Sequence, residues 1–143
     1  MQLKDVMTRD VEIVEFDTPL QDAASRMSTL DVGVLPVREG DQLVGMLTDR
    51  DITVRAVAAG RDPKQTTVGE VMSPDLVYCY EDQDVEDAAR MMADHQIRRL
   101  PVLNRDQQLV GIVSLGDLAV DVANDKLTGE ALEEISQPAR PSR

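Results

Sequence analysis

Leu43-Val44-Gly45-Met46-Leu47-Thr48-Asp49-Arg50-Asp51 returns later in the chain as Leu109-Val110-Gly111-Ile112-Val113-Ser114-Leu115-Gly116-Asp117. Each copy reads as an apolar strand, a hydroxyl residue, and an aspartate three positions on that opens a helix. A glycine three residues before the hydroxyl lets another group approach the backbone closely. The hydroxyl and the free N–H groups of a helix start can face an anion. The carboxylate can accept two hydrogen bonds from a vicinal diol. The same Ser/Thr-x-x-Asp spacing also serves as a capping box, which satisfies helix N–H groups without any ligand. The corner therefore has a ligand reading, suited to a phosphorylated nucleoside, and a purely structural one.

Working outward, the two corners belong to a longer duplication. Val6-Met7-Thr8 recurs 65 residues later as Val71-Met72-Ser73, Asp22-Ala23-Ala24 as Asp87-Ala88-Ala89, and Leu35-Pro36-Val37 as Leu100-Pro101-Val102. Gly111 follows Gly45 by 66, so one residue has entered the second hairpin turn, Leu103 to Gln108, where an insertion costs little. In the first copy, Val11-Glu12-Ile13-Val14 alternates as a strand. Asp17-Thr18-Pro19 is an N-cap candidate followed by proline, and Leu20, Ala23, Ala24, Met27 and Leu30 share one helical face until Gly33 breaks it. Val34–Val37 is a short strand whose Pro36 favours an edge or ladder end. Gly40-Asp41 turns the chain into the return strand Leu43–Thr48, and Asp49 to about Ala59 is a helix that Gly60 ends before Asp62-Pro63. The order strand, helix, strand, strand, helix then repeats. A period this long fits a tandem pair of small subdomains, each too small to bury its sheet and helices unaided.

These residues resemble the cystathionine-β-synthase (CBS) domain family, whose pattern is Gly-apolar-x-Thr/Ser-x-x-Asp. The resemblance spans roughly residues 1–125, and the chain is similar to small bacterial stress- or hypoxia-response proteins made of one CBS pair. It implies an α/β (α+β) fold of two β-α-β-β-α units, residues 1–64 and 65–127, packed about a pseudo-twofold axis with two related clefts. Residues 128–143 follow as a helix fragment, Glu130–Ile135, and a frayed tail, after a helix from Asp117 to about Lys126 that Thr128-Gly129 interrupts. It further implies a regulatory module that binds AMP, ADP or ATP, or S-adenosylmethionine, without catalysis. Asp51 with Thr48, and Asp117 with Ser114, would hold ribose and phosphate. The apolar residues about adenine would be Met46, Leu76 and Val77 for the Asp51 site. For the Asp117 site they would be Ile112, Val11, Val32 and Val34, with Glu12 where the family often has a small or apolar residue. Each of these apolar residues reads equally as core. Disc-like homodimers built on the helices that begin at Asp49 and Asp117 are the other arrangement implied, with or without ligand in the clefts. An effector protein or a change of assembly would carry the output.

Phosphate needs cations, and the chain offers few. Arg98-Arg99 stands at the family's basic position and can clamp a phosphate bidentately. The first copy has Asp31-Val32-Gly33-Val34 there, so the two sites are expected to be unequal. Arg50 lies inside the first corner, where Gly116 stands in the second. The alternative for these arginines is ion pairing with surplus carboxylates.

Composition bounds the remaining possibilities. The 143-residue chain is 42% hydrophobic but only 2% aromatic, so its core must come from aliphatic residues and Met. A net charge of −12 argues against a nucleic-acid backbone as partner. Cys79 and His95 are the one cysteine and one histidine, too few for an internal disulfide or a Cys/His zinc cluster. Cys79, in the alternating Leu76-Val77-Tyr78-Cys79-Tyr80, reads as a buried thiol, and His95 as a solvated helix end. Met1–Asp5 lacks a signal-peptide run and no window reaches membrane-span length, so a soluble cytoplasmic protein is expected. Asp49 and Asp51 come with no nucleophile, base and oxyanion set, which points away from an enzyme.

Overall fold

Each repeat folds as the alternation of patterns requires. The computed structural model describes residues 1–74, 76–121 and 133–135. In the first repeat, Val14–Glu15 (β1), Leu20–Leu30 (α1), Val34–Glu39 (β2) and Gln42–Thr48 (β3) lead into Asp49–Asp51 (α2) and a π-helical turn, Ile52–Val57. Val68–Val71 (α3) follows. The second repeat is Cys79–Tyr80 (β4), Val85–His95 (α4), Arg99–Leu103 (β5), Leu109–Ser114 (β6) and Leu115–Asp121 (α5). Among the described residues there are two three-stranded sheets, ordered β1-β2-β3 and β4-β5-β6. In each, the first strand is parallel and the third antiparallel to the middle one. Register shifts fall at equivalent places, between Val37 and Arg38 and between Val102 and Leu103.

The chain divides into two compact units: Glu12–Leu76, and Met1–Val11 with the chain from Val77 onward. Each repeat thus opens with an arm that is hydrogen-bonded to the other repeat, including one isolated bridge to its third strand, Thr8 with Ile112 and Ser73 with Met46. The N-terminal arm bonds to the second repeat: the Leu3 N–H donates to the Gln83 carbonyl at 2.9 Å, and Lys4 N–H to Glu81 at 3.0 Å. The arm before β4 bonds to the first: Val68 N–H donates to Thr18 and Gly69 N–H to Phe16, both at 2.9 Å, with the Phe16 ring against Gly69. Each unit has its own apolar cluster. Equivalent residues fill both: Val14 and Cys79, Ala23 and Ala88, Leu35 and Leu100, Leu47 and Val113. The buried apolar set is Leu, Val, Ala, Met and Cys79, with no aromatic ring among the described residues.

Several expectations are corrected. Of Val11–Val14 only Val14 joins a ladder, because the Ile13 carbonyl instead accepts from the Arg26 guanidinium at 2.9 Å. Likewise only Cys79–Tyr80 of the second alternating run is paired. Pro36 is not on an edge strand, since β2 is central. It is tolerated because the two-residue β1 pairs only Val37 and Arg38, leaving Pro36 with β3 alone. Neither Asp17 nor Thr18 caps α1. Pro19 holds the N-cap position, and the orphan N–H groups of Leu20 and Gln21 donate to the carbonyls of Thr66 (2.8 Å) and Pro63 (3.1 Å). α1 ends at Asp31 in the left-handed region (φ 55°), before Gly33, and Leu30 is exposed.

The Asp49–Ala59 helix is α only for its first turn. From Ile52 it widens to π geometry, with Ala58 N–H donating to Thr53 and Arg61 N–H to Ala56. The Thr53 hydroxyl donates to the Asp49 carbonyl at 3.1 Å, a side-chain competitor that loosens a helix there. Gly60, at φ 72°, closes it as expected. The helix expected to reach Lys126, the Thr128-Gly129 break and the tail lie outside the described residues. Glu133–Ile135 is helical; Ile135 packs against the second cluster, and the Glu134 carbonyl accepts from Gln96 at 3.2 Å.

Candidate functional site

β3 delivers Thr48 in an extended conformation to the start of α2. Its Oγ1 accepts from the Asp51 N–H at 3.0 Å, and Asp51 Oδ2 accepts from the Thr48 N–H at 3.0 Å. β6 delivers Ser114 in the same way. Its Oγ accepts from the Asp117 N–H at 3.0 Å, and Asp117 Oδ2 accepts from the Ser114 N–H at 2.9 Å. The structural reading of the motif is therefore realised twice. The boxes also fix each carboxylate in one rotamer, which is what a ligand-gripping acid requires.

The two corners then diverge. Asp51 is only 7% exposed, and the Ser73 hydroxyl donates toward its Oδ1 and Oδ2 at 3.2 and 3.3 Å. Arg55 Nε stands 4.0 Å from Oδ1 and its guanidinium donates to the Met72 carbonyl at 3.0 Å. Asp117 is half-buried, and among the described residues its side chain bonds only to Ser114. Sequence reading did not single out Ser73 as a partner of Asp51. The available signal was the echo of Val6-Met7-Thr8 in Val71-Met72-Ser73.

The glycines are explained by the chain itself. Ser73 and Met46 exchange backbone hydrogen bonds at 2.9 and 3.1 Å, so the arm runs directly over Gly45. A β-carbon on Gly45 would stand 2.5 Å from the Ser73 carbonyl oxygen and 2.9 Å from the Met72 sulfur. Thr8 and Ile112 exchange the equivalent bonds at 2.8 and 2.9 Å. There a β-carbon on Gly111 would stand 2.7 Å from both the Thr8 carbonyl oxygen and the Met7 sulfur.

The cations are placed by register. Arg99 on β5 lies directly across from Ser114 on β6, whereas Val34 on β2 lies across from Thr48. Directly opposed residues share a face. Arg98 is exposed and its carbonyl accepts the Leu115 N–H at 2.9 Å. Arg50 is exposed in α2. None of the three makes an ion pair among the described residues. Met46, Ile112, Val34, Val11, Leu76 and Val77 are half-buried, and Val32 is 39% exposed. Met46, Leu76, Val32 and Val34 belong to the unit of Asp51, and Ile112, Val11 and Val77 to that of Asp117. Among the described residues no three His, Cys, Asp or Glu side chains gather to hold a metal, and no helix is long and apolar enough to cross a membrane.

The profile of the CBS domain matches twice, over residues 3–57 and 68–124. The chain belongs to the CBS-domain family. A CBS domain-containing protein of Bacillus subtilis, YhcV, is 50% identical over 134 residues, 94% of each chain. Hypoxic response protein 1 of Mycobacterium tuberculosis is 38% identical over 117 residues, 81% of each chain. A crystal structure of Hypoxic Response Protein I with two coordinated zinc ions superposes with a TM-score of 0.78 at 36% identity, covering 85% of this chain and 99% of that one. CBSX2, solved in complex with AMP, superposes with a TM-score of 0.71 at 28% identity, covering 82% and 93%.

Proposed function

We propose that this CBS pair is a non-catalytic regulatory module of the cytoplasm that binds an adenine nucleotide through Asp51 and Asp117. The observation that carries the reading is the duplicated lock. Two carboxylates, one per unit, are held by the same reciprocal bonds to a Thr or Ser, each at the mouth of a helix. A carboxylate so fixed accepts both hydroxyls of a ribose, and the helix N-terminus with Thr48 or Ser114 favours phosphate. Arg99, opposite Ser114, supplies positive charge in a chain of net charge −12. Met46, Leu76, Val77, Ile112, Val11, Val32 and Val34 provide the apolar surface for the base, with Arg50 and Arg98 as further cations. The AMP complex of CBSX2 and the relationship to a hypoxic response protein support the reading.

Binding biases the protein's conformational or assembly equilibrium by its differential affinity for the states, and an effector protein reads the result. The test is thermal melting against AMP, ADP, ATP and S-adenosylmethionine. A ligand at about 100 times its dissociation constant adds roughly 2.7 kcal/mol to the folded state. Stabilisation by an adenine nucleotide is expected; flat melting temperatures across the panel would overturn the reading, and ATP turnover by pure protein would overturn the non-catalytic part.

A second reading has its own observation. Val54 and Val57, on the π turn that follows Asp51, are 51% and 69% exposed, an apolar strip suited to a homodimer contact. An interaction protein with no ligand would associate through it and ignore the nucleotide panel.

A further inference from the structure

We infer that Ser73 makes the two aspartates unequal receptors: it occupies Asp51 from within, so that a ribose diol finds its stronger grip at Asp117. The inference rests on the nucleotide reading above and adds which corner is filled first and which residue decides it.

The Asp51 carboxylate already accepts the Thr48 N–H and the Ser73 hydroxyl, and only 7% of the residue is open to solvent. With so little of the carboxylate open, a diol arriving there competes with the serine hydroxyl for it, exchanging one hydrogen bond for another. Arg55 adds to the closure, since it holds the Met72 carbonyl next to Ser73 while standing 4.0 Å from Asp51 Oδ1. At the second corner the residue equivalent to Ser73 is Thr8. It is exposed, and among the described residues its side chain makes no bond to Asp117. Asp117 Oδ1 therefore accepts a diol without losing a partner among the described residues. The cross-strand neighbour strengthens the contrast: Arg99 opposes Ser114, where Val34 opposes Thr48. Across the strands a nucleoside phosphate meets a guanidinium opposite Ser114 and an isopropyl group opposite Thr48; the cation at the first corner, Arg55, is already engaged with the Met72 carbonyl and stands 4.0 Å from Asp51 Oδ1.

The experiment is calorimetric titration of the full chain with AMP, for wild type, Asp51→Ala, Asp117→Ala and Ser73→Ala. Expected are two unequal steps, of which Asp117→Ala removes the tighter and Asp51→Ala the weaker. Ser73→Ala tightens the weaker step by about tenfold, the worth of one hydrogen bond to a charged group, and leaves the tighter one in place. Loss of the tighter step in Asp51→Ala, or an unmoved weaker step in Ser73→Ala, overturns the inference while leaving nucleotide binding intact. Absence of AMP binding in every protein overturns both. Ser73→Ala removes no helix cap, so it decides the matter even if an aspartate variant does not fold.

Discussion

The carbonyl oxygen of Ser73 lies 2.5 Å from the place a β-carbon on Gly45 would take. The strand-to-helix corner is therefore covered by the chain's own arm, and the glycine exists for that arm. Gly45→Ala must push the arm off β3, and Gly111→Ala must do the same to the N-terminal arm at Thr8, where the obstacle is again backbone. Each substitution is expected to destabilise by roughly 1–3 kcal/mol, the usual range for overpacking. Urea denaturation reads it; stability within about 0.5 kcal/mol of wild type would show that the arms do not sit tightly on the strands.

Thr48→Ala and Ser114→Ala each remove a cap whose donor–acceptor distance is 3.0 Å. Each is expected to cost about 1 kcal/mol in the absence of any nucleotide. The two losses should be alike, since the local bonds are alike. A cost at one corner and none at the other would mean that the two boxes are not equivalent caps.

Burial pushes the Cys79 thiol up to about 11 from 9.0, with Asp87 adding to the shift. The folded state thus prefers the protonated thiol more than the unfolded state does. Its contribution to stability is complete below pH 9 and is lost as pH rises from 9 toward about 11. Stability curves of wild type and Cys79→Ala should converge over that window. The thiol, whose sulfur lies 3.2 Å from that of Met91, should also resist aromatic disulfide reagents in the native protein and react on unfolding. Rapid modification of folded protein at pH 8 would contradict its burial.

What was legible in the sequence was whatever is local or periodic. The two copies of strand, helix, strand, strand, helix followed from spacing, and the turn at Gly40 (φ 61°) and the stop at Gly60 (φ 72°) from residue type. Both capping boxes followed from Ser/Thr-x-x-Asp. Backbone partners distant in sequence carry no such signature. Nothing in Leu20 or Gln21 announces that Thr66 and Pro63 accept their N–H groups, and nothing in Val11–Ile13 announces that Arg26 takes a carbonyl from the ladder. Pro36 suggested an edge because a sequence shows the strand and not how short its neighbour is. The Ser73 bond to Asp51 escaped for the same reason, although the repeat had aligned Ser73 with Thr8. The unequal cations were legible, because Arg99 and Val34 occupy matching positions in the alignment of the two halves.

The central claim is that the locked aspartates grip an adenine nucleotide. It is tested most directly by titrating AMP into wild type and into the Asp51→Ala, Asp117→Ala double variant, with circular dichroism confirming that both are folded. Saturable binding to wild type and none to the folded double variant is the predicted result. Equal binding by both proteins, or no heat with wild type, would contradict it.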